Sequence, residues 1–352
     1  MINVDYPIID GDGHVVEPDK EMAEYLPERF RRIPGNREYS LFPQDAWAFG
    51  VVDPHKQDVP DAAMWLSFLD EAGISATVLY PSNAAAVGMV RRVEWSVDLA
   101  RAYNDWLYDK FLRQSGRLLG VALLPVHDVG ACVTELRRCV GELGFVGAIL
   151  PSISSPLMAY GNPEFDPIYA TAAELDTMIA VHGGFVGAHN FADPFRTYRE
   201  VRALKHVIPL MSHATSMISQ GVFDRYPNLR VAYLEAGCGW VPYLMDVLDE
   251  QFERKGAGDL KRRPSEYLMD PNVYFSFEIE ERTLPFFIQL LGDEKLVWPS
   301  DYPHERSRAE FFSDLPEFFA REDVSADSKR KILSENPRRL YRLQEISRGD
   351  LP

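Results

Sequence analysis

Eight short apolar runs recur along the chain, each followed by a longer stretch with helical spacing of its apolar residues. The runs occupy 7–12, 75–81, 118–125, 146–151, 177–184, 229–237, 272–278 and 296–301. Within each run apolarity is continuous rather than alternating. Strands buried on both faces look like this, which is the habit of parallel sheets. Between them, 129–143, 241–255 and 328–343 carry helical patterns. Pro, Gly, His and Asp gather at the ends of the runs, where β-to-α loops begin. Eight strands interleaved with helices predict an α/β chain folded as a (β/α)8 TIM barrel, one domain over 1–352. A doubly wound open sheet is the alternative. It calls for a Gly-rich phosphate loop after the first strand, and "DGDGHV" at 10–15 is not G-x-G-x-x-G. Segment 19–72 is long for a β-to-α connection. It carries Phe30, Pro34, Tyr39, Phe42, Trp47 and Phe49, and is expected to be an extended insertion after strand 1, a lid or a partner contact.

Composition narrows the partners. The chain has 352 residues, is 46% hydrophobic and has a formal net charge of −16. That charge disfavours nucleic acid and anionic membrane surfaces. No apolar run approaches the roughly 18 residues of a membrane span, and no basic-then-apolar leader opens the chain, so a cytoplasmic location is expected. Cys132, Cys139 and Cys238 are too few and odd in number for a disulfide framework. Cys132 and Cys139 share a helical face with Leu136 and Val140, as core thiols would.

The polar residues that end the strands matter most, because strand C-termini of a barrel converge on one mouth. Strand one offers Asp12 and His14, strand five His182, strand six Glu235 and strand eight Asp301. Asp12 and His14 share a face, since the strand period is two. Singly, Asp12 suits a turn and Asp301 a helix cap. Jointly, two imidazoles with carboxylates make a divalent metal site with room for water. Around it, Tyr80 and Asn83 at the end of strand two are expected to line the pocket, and His189 and Asn190 after strand five to touch substrate. His304 follows Asp301 closely enough to stand behind it, and His213, in "MSHATSM", reaches the site or serves packing. His55, His127 and His206 carry no convergence argument.

Five ordered motifs carry a resemblance: "IDGDGHVVEP" at 9–18, "VHGG" at 181–184, "GVFDRYPNLRVAYLEAG" at 221–237, "SDYPH" at 300–304 and "ILSENPRRLY" at 332–341. The chain resembles the amidohydrolase superfamily, in the branch of aminocarboxymuconate-semialdehyde, resorcylate and carboxyvanillate decarboxylases. The resemblance implies a barrel with one divalent metal held by Asp12, His14, His182 and Asp301. Zn2+ is expected, with Mn2+ or Fe2+ open because Asp12 stands where many members have histidine. It also implies a homodimer. One departure bears on the reaction. The decarboxylases carry a strand-six histidine assigned as proton donor or base, and here "LEAG" puts Glu235 in that place. Hydrolysis of an amide, lactone or ester of a small, carboxylate-bearing substrate is therefore the first expectation. Asp301 would take the proton of metal-activated water, and Glu235 would shuttle it if burial raises its pKa. Arg31, Arg32 or Arg37 would face an anionic substrate over the mouth. Non-oxidative decarboxylation of a small aromatic or muconate-like acid is the alternative, with Glu235 or His213 as the acid. Another metal-dependent lyase or a hydratase ranks below these, and so does a catalytically silent barrel, which requires loss of the metal.

Overall fold

The computed structural model describes residues 4–31, 40–43, 59–153, 158–184, 195–304 and 306–343. Its strands are β1 (Ile9–Val15), β2 (Ala76–Pro81), β3 (Leu118–Leu123), β4 (Gly147–Pro151), β5 (Met178–His182), β6 (Arg230–Leu234), β7 (Val273–Ser276) and β8 (Leu296–Val297). Each pairs in parallel with the next, in sequence order. Each falls inside or against one of the eight apolar runs. Backbone bonds beyond β8 draw its end onto β1. The Gly11 N–H donates to the Trp298 carbonyl at 2.9 Å, the His14 N–H to Tyr302 at 2.8 Å and the Asp301 N–H to Asp12 at 3.0 Å. Helices surround the strands, so the chain forms the expected (β/α)8 TIM barrel. Among the strand residues only Leu119 is less than fully buried.

β1 contains the feature that aims the first two site residues. Asp10 lies opposite Thr77 and Gly13 opposite Leu79, so β1 carries one extra residue there. Such a bulge bends the strand and redirects its side chains. Gly13 is required at this bend, because a Cβ would lie 2.5 Å from the Thr77 hydroxyl and 2.7 Å from the Trp65 ring. Trp65 belongs to the helix Ala62–Ala72, and its indole N–H donates to the His14 carbonyl at 3.2 Å.

That helix falls within the segment expected to be an insertion, yet it buries Trp65, Phe68 and Leu69 as an ordinary outer helix between β1 and β2. It begins at Asp61, whose side chain accepts from the Met64 N–H, and ends at left-handed Gly73. Ahead of it lie the helices Asp19–Tyr25 and Glu28–Arg31. Met22, Leu26 and Phe42 are buried, and Phe30 meets Trp95 with ring centroids 4.4 Å apart. Arg32, Pro34, Arg37, Tyr39, Trp47, Phe49 and the Arg31 side chain lie outside the described residues. Cys132, Leu136 and Cys139 are buried together on the helix Val129–Glu142, and the cysteines are free thiols. No helix among the described residues is long and apolar enough to cross a membrane.

Candidate metal centre

Asp12, His14 and His182 meet at the C-terminal mouth. The His182 Nε2 lies 3.2 Å from Asp12 Oδ1, the His14 Nε2 lies 3.4 Å from the same oxygen, and Asp301 Oδ1 lies 3.6 Å from His14 Nε2. The three β1 and β5 donors fall within 4.8 Å of one another, as do those of His14, Asp301 and His304. Backbone carbonyls set both imidazoles. His14 Nδ1 faces the Pro81 carbonyl at 3.3 Å, and His182 Nδ1 faces that of Gly183 at 2.8 Å. With Nδ1–H donating, each Nε2 lone pair points into the cluster.

This donor set fits one divalent metal ion, and the electrostatics say why. His14 Nε2 is buried without a hydrogen-bond partner. Desolvation pulls His182 down, but Asp12 and Glu235 push it up to about 9, so positive charge is favoured there. Burial and the nearby Glu235 carboxylate push Asp301 up to about 7. A dication would satisfy the imidazole lone pairs and the crowded carboxylates together.

Glu235 stands directly behind His182. Its Oε2 lies 3.3 Å from His182 Nδ1 and 3.4 Å from His206 Nδ1. Burial acts to raise its pKa, as expected from the sequence, but His206 and His182 outweigh burial and hold it well below the ordinary carboxylate range. The direction is thus the reverse of the raised pKa that proton shuttling would call for. His206 is the residue that sequence reasoning missed. It precedes the helix Val207–Ser219, is buried, and sits so near Gly183 that a Cβ there would lie 2.7 Å from its Nδ1. Desolvation holds it down at about 4, against the pull of Glu235. No local signal marks it, because the loop that delivers it follows no strand-end rule.

The Asp301 side is braced too. His304 Nδ1 meets Asp301 Oδ1 at 2.8 Å, and its Nε2 meets the Ser82 hydroxyl at 2.6 Å. The Ser82 and Asn83 N–H groups donate to Glu17 at 3.0 and 2.9 Å. Asn83 thus holds Glu17 through its main chain. Asp10 accepts from Thr77 Oγ1 at 2.6 Å, from the Ser300 N–H and hydroxyl at 2.8 Å each, and from the Asp12 N–H at 3.2 Å. It ties the end of β8 to β1 and leaves no capacity for chemistry.

Tyr80 stacks on His182 with centroids 5.2 Å apart, and its hydroxyl meets that of Tyr341 at 2.8 Å. It forms the wall behind the cluster. His213 accepts from the Tyr160 N–H at 3.2 Å, faces the Ser152 carbonyl at 2.8 Å, and stacks on Tyr160 at 4.1 Å. Backbone groups thus engage both of its nitrogens. His189 and Asn190 lie outside the described residues. A cavity opens beside the cluster, lined by Asp12, Glu235, Glu278 and Asp301 with Arg202 and Arg306.

Two acids here occupy the left-handed backbone region: Glu235 at φ 64 and Asp301 at φ 54. A side chain in that region costs about 1–2 kcal/mol, and glycine avoids the cost. Glu235→Gly is therefore expected to unfold in denaturant about 1 kcal/mol later than Glu235→Ala, both metal-free. Equal or inverted stability would show that the turn is unstrained.

Comparison with known proteins separates the two reactions. Gamma-resorcylate decarboxylase of Rhodococcus jostii (strain RHA1) is 28% identical over 299 residues, 79% of this chain and 86% of that protein. 2-Amino-3-carboxymuconate-6-semialdehyde decarboxylase of Dictyostelium discoideum is 26% identical over 223 residues, 59% of this chain and 57% of that one. Among solved structures, a dihydroxybenzoic acid decarboxylase from Polaromonas sp. JS666, with bound manganese and the inhibitor 2-nitroresorcinol, shares the fold. It superposes with a TM-score of 0.72 at 22% identity, covering 98% of this chain and 99% of that one. The expectation of a hydrolase is overturned, because these relatives remove a carboxyl group. That expectation rested on Glu235 standing where the resemblance places a strand-six histidine. The same comparison supports a divalent metal without favouring zinc. The family model described as amidohydrolase runs from residue 9 in β1 to residue 343, past the last described helix, and the chain belongs to that family.

Proposed function

We propose that the chain is a metal-dependent, non-oxidative decarboxylase of a small hydroxy-substituted aromatic acid. The observation that supports this reading is the pair of donor groups sharing His14, Asp12 with His182 and Asp301 with His304, in a chain 28% identical to a gamma-resorcylate decarboxylase over most of its length. Asp12, His14, His182 and Asp301 would hold the metal. When bound, the ion supplies Lewis-acid stabilisation of negative charge on substrate oxygens. Mn2+ is the ion proposed, since two of the four donors are hard carboxylates and the Polaromonas structure holds manganese. Glu235, ionised, keeps His182 in its tautomer, while His304 and Ser82 orient Asp301. Tyr80 closes the apolar side and keeps water from the cluster. His213 has a packing role, because backbone groups occupy both ring nitrogens.

The test is release of CO2 from 2,6-dihydroxybenzoate by protein loaded with Mn2+. Equal amounts of CO2 and 1,3-dihydroxybenzene are expected. Absence of CO2 from this acid, from 5-carboxyvanillate and from 2-amino-3-carboxymuconate-6-semialdehyde overturns the reading.

Two further parts of the reading concern setting. The free, buried cysteines support a reducing, cytoplasmic compartment. A homodimer is supported by Tyr243, Phe286 and Leu290, large apolar residues 62%, 66% and 53% exposed on the neighbouring helices Trp240–Lys255 and Leu284–Leu291. Light scattering is expected to give twice the chain mass, and a monomer mass at every concentration refutes it.

A further inference from the structure

We infer that Glu278 is the carboxylic acid that delivers the proton to the substrate carbon losing CO2. The inference rests on the decarboxylase reading and deepens it. Decarboxylation leaves an electron pair on carbon that a proton must take up, and at the end of β6, where the resemblance places a histidine, this chain has Glu235.

Glu278 follows β7 by two residues and lines the same cavity as Asp12 and Asp301. Its backbone is held at both ends: its N–H donates to the Glu281 carboxylate at 3.3 Å, and its carbonyl accepts from the Glu281 N–H at 3.0 Å. Glu281 in turn caps the helix Trp240–Lys255 through the Cys238 and Gly239 N–H groups. The turn is therefore anchored, while the Glu278 carboxyl itself makes no hydrogen bond or ion pair among the described residues. Glu278 is also exposed, so solvent can return a proton after each turnover.

Most of the other acids near the cavity are committed, Asp314 among them through Arg306, and Glu280 lines the cavity beside Glu278. Asp12 and Asp301 belong to the metal set, Glu235 faces His182 and His206, and four donors saturate Asp10. His206 is buried and packed against Gly183. The charged groups facing Glu278 are Asp301 from the end of β8, Glu235 from the end of β6, and Arg202 and Arg306 across the cavity. Arg306 is tied to Asp314 at 2.8 Å and to the Ser300 carbonyl at 3.1 Å. Desolvation, then Asp301 and Glu235, push the Glu278 carboxyl up to about 7.

The step balances without another reactant. The bond between the ring carbon and its carboxylate breaks, and its electron pair stays on the ring carbon. That carbon takes the proton of Glu278, CO2 departs, and the Glu278 carboxylate regains a proton from water. The sum is one carboxylate and one proton giving one arene and one CO2.

The experiment compares Glu278→Gln, Glu278→Ala and Glu142→Gln with the unaltered chain, all loaded with Mn2+, on 2,6-dihydroxybenzoate. Glu142, exposed at the end of the helix Val129–Glu142 and outside the cavity lining, serves as the control. In Glu278→Gln, kcat is expected to fall about 10²–10⁴-fold, with KM within about threefold and metal content unchanged. Added formic acid is expected to restore turnover to Glu278→Ala, which a structural role would not allow. Glu142→Gln should behave as the unaltered chain. If the unaltered chain releases no CO2 from this acid or from the other two named above, the decarboxylase reading fails and takes this inference with it. If it does release CO2 but Glu278→Gln keeps kcat within about threefold, or loses metal, or Glu278→Ala resists rescue, the assignment of Glu278 alone is overturned.

Discussion

His182→Ala is expected to retain less than about a tenth of the divalent metal held by the unaltered chain. His182 supplies one of only two imidazoles in the cluster, and the Gly183 carbonyl fixes its ring so that Nε2 faces Asp12. Alanine leaves three donors and an open position, and it also removes the partner that Glu235 braces. Folding stability should register the same loss. An ion present at 100 times its Kd contributes about 2.7 kcal/mol to the folded state, so adding Mn2+ should raise the unfolding midpoint of the unaltered chain and leave His182→Ala unmoved. Elemental analysis after gentle purification and unfolding with and without Mn2+ read the two effects. Full metal content in His182→Ala would remove His182 from the ligand set and require a different site.

Glu235→Gln is expected to weaken metal binding about 10–100-fold, with fold retained. The amide matches the carboxylate in shape but lacks its charge. Glu235 is ionised between His182 and His206, at 3.3 and 3.4 Å. Without that charge the His182 ring is less firmly held and less basic, so its Nε2 is a poorer donor. Turnover at limiting Mn2+ should fall in proportion and recover at saturating Mn2+. A proton shuttle would behave differently, leaving kcat about 10²–10⁴-fold down even at saturation. Full affinity together with normal turnover would contradict both roles.

Which parts of this centre could be seen in the chain alone follows a physical division. Asp12 and His14 were legible because a strand has period two and these residues end an apolar run. His182 and Asp301 were legible for the second of those reasons. Glu235 was found by the same rule, but its charge state was not. That state depends on His206, which a helix entrance brings in from another part of the chain. His213 looked equally promising in sequence, and the fold spends its nitrogens on Tyr160 and Ser152. Glu278 was overlooked because nothing about an acid two residues past a strand distinguishes it from a solvated turn.

By itself the sequence determined the barrel, its eight strands and the residues at their ends. Continuous apolar runs admit little but strands covered on both faces, and a parallel barrel sends every strand terminus to one mouth. The tertiary structure decided which of those residues meet, which are ionised and which stay open to a substrate. Those properties arise from distances of a few ångströms between residues remote in the chain, where burial and neighbouring charge compete to set each pKa. The choice between hydrolysis and decarboxylation belongs to the same level. One metal cluster serves either reaction, and the side chains that the closed barrel turns toward its cavity determine where the proton goes.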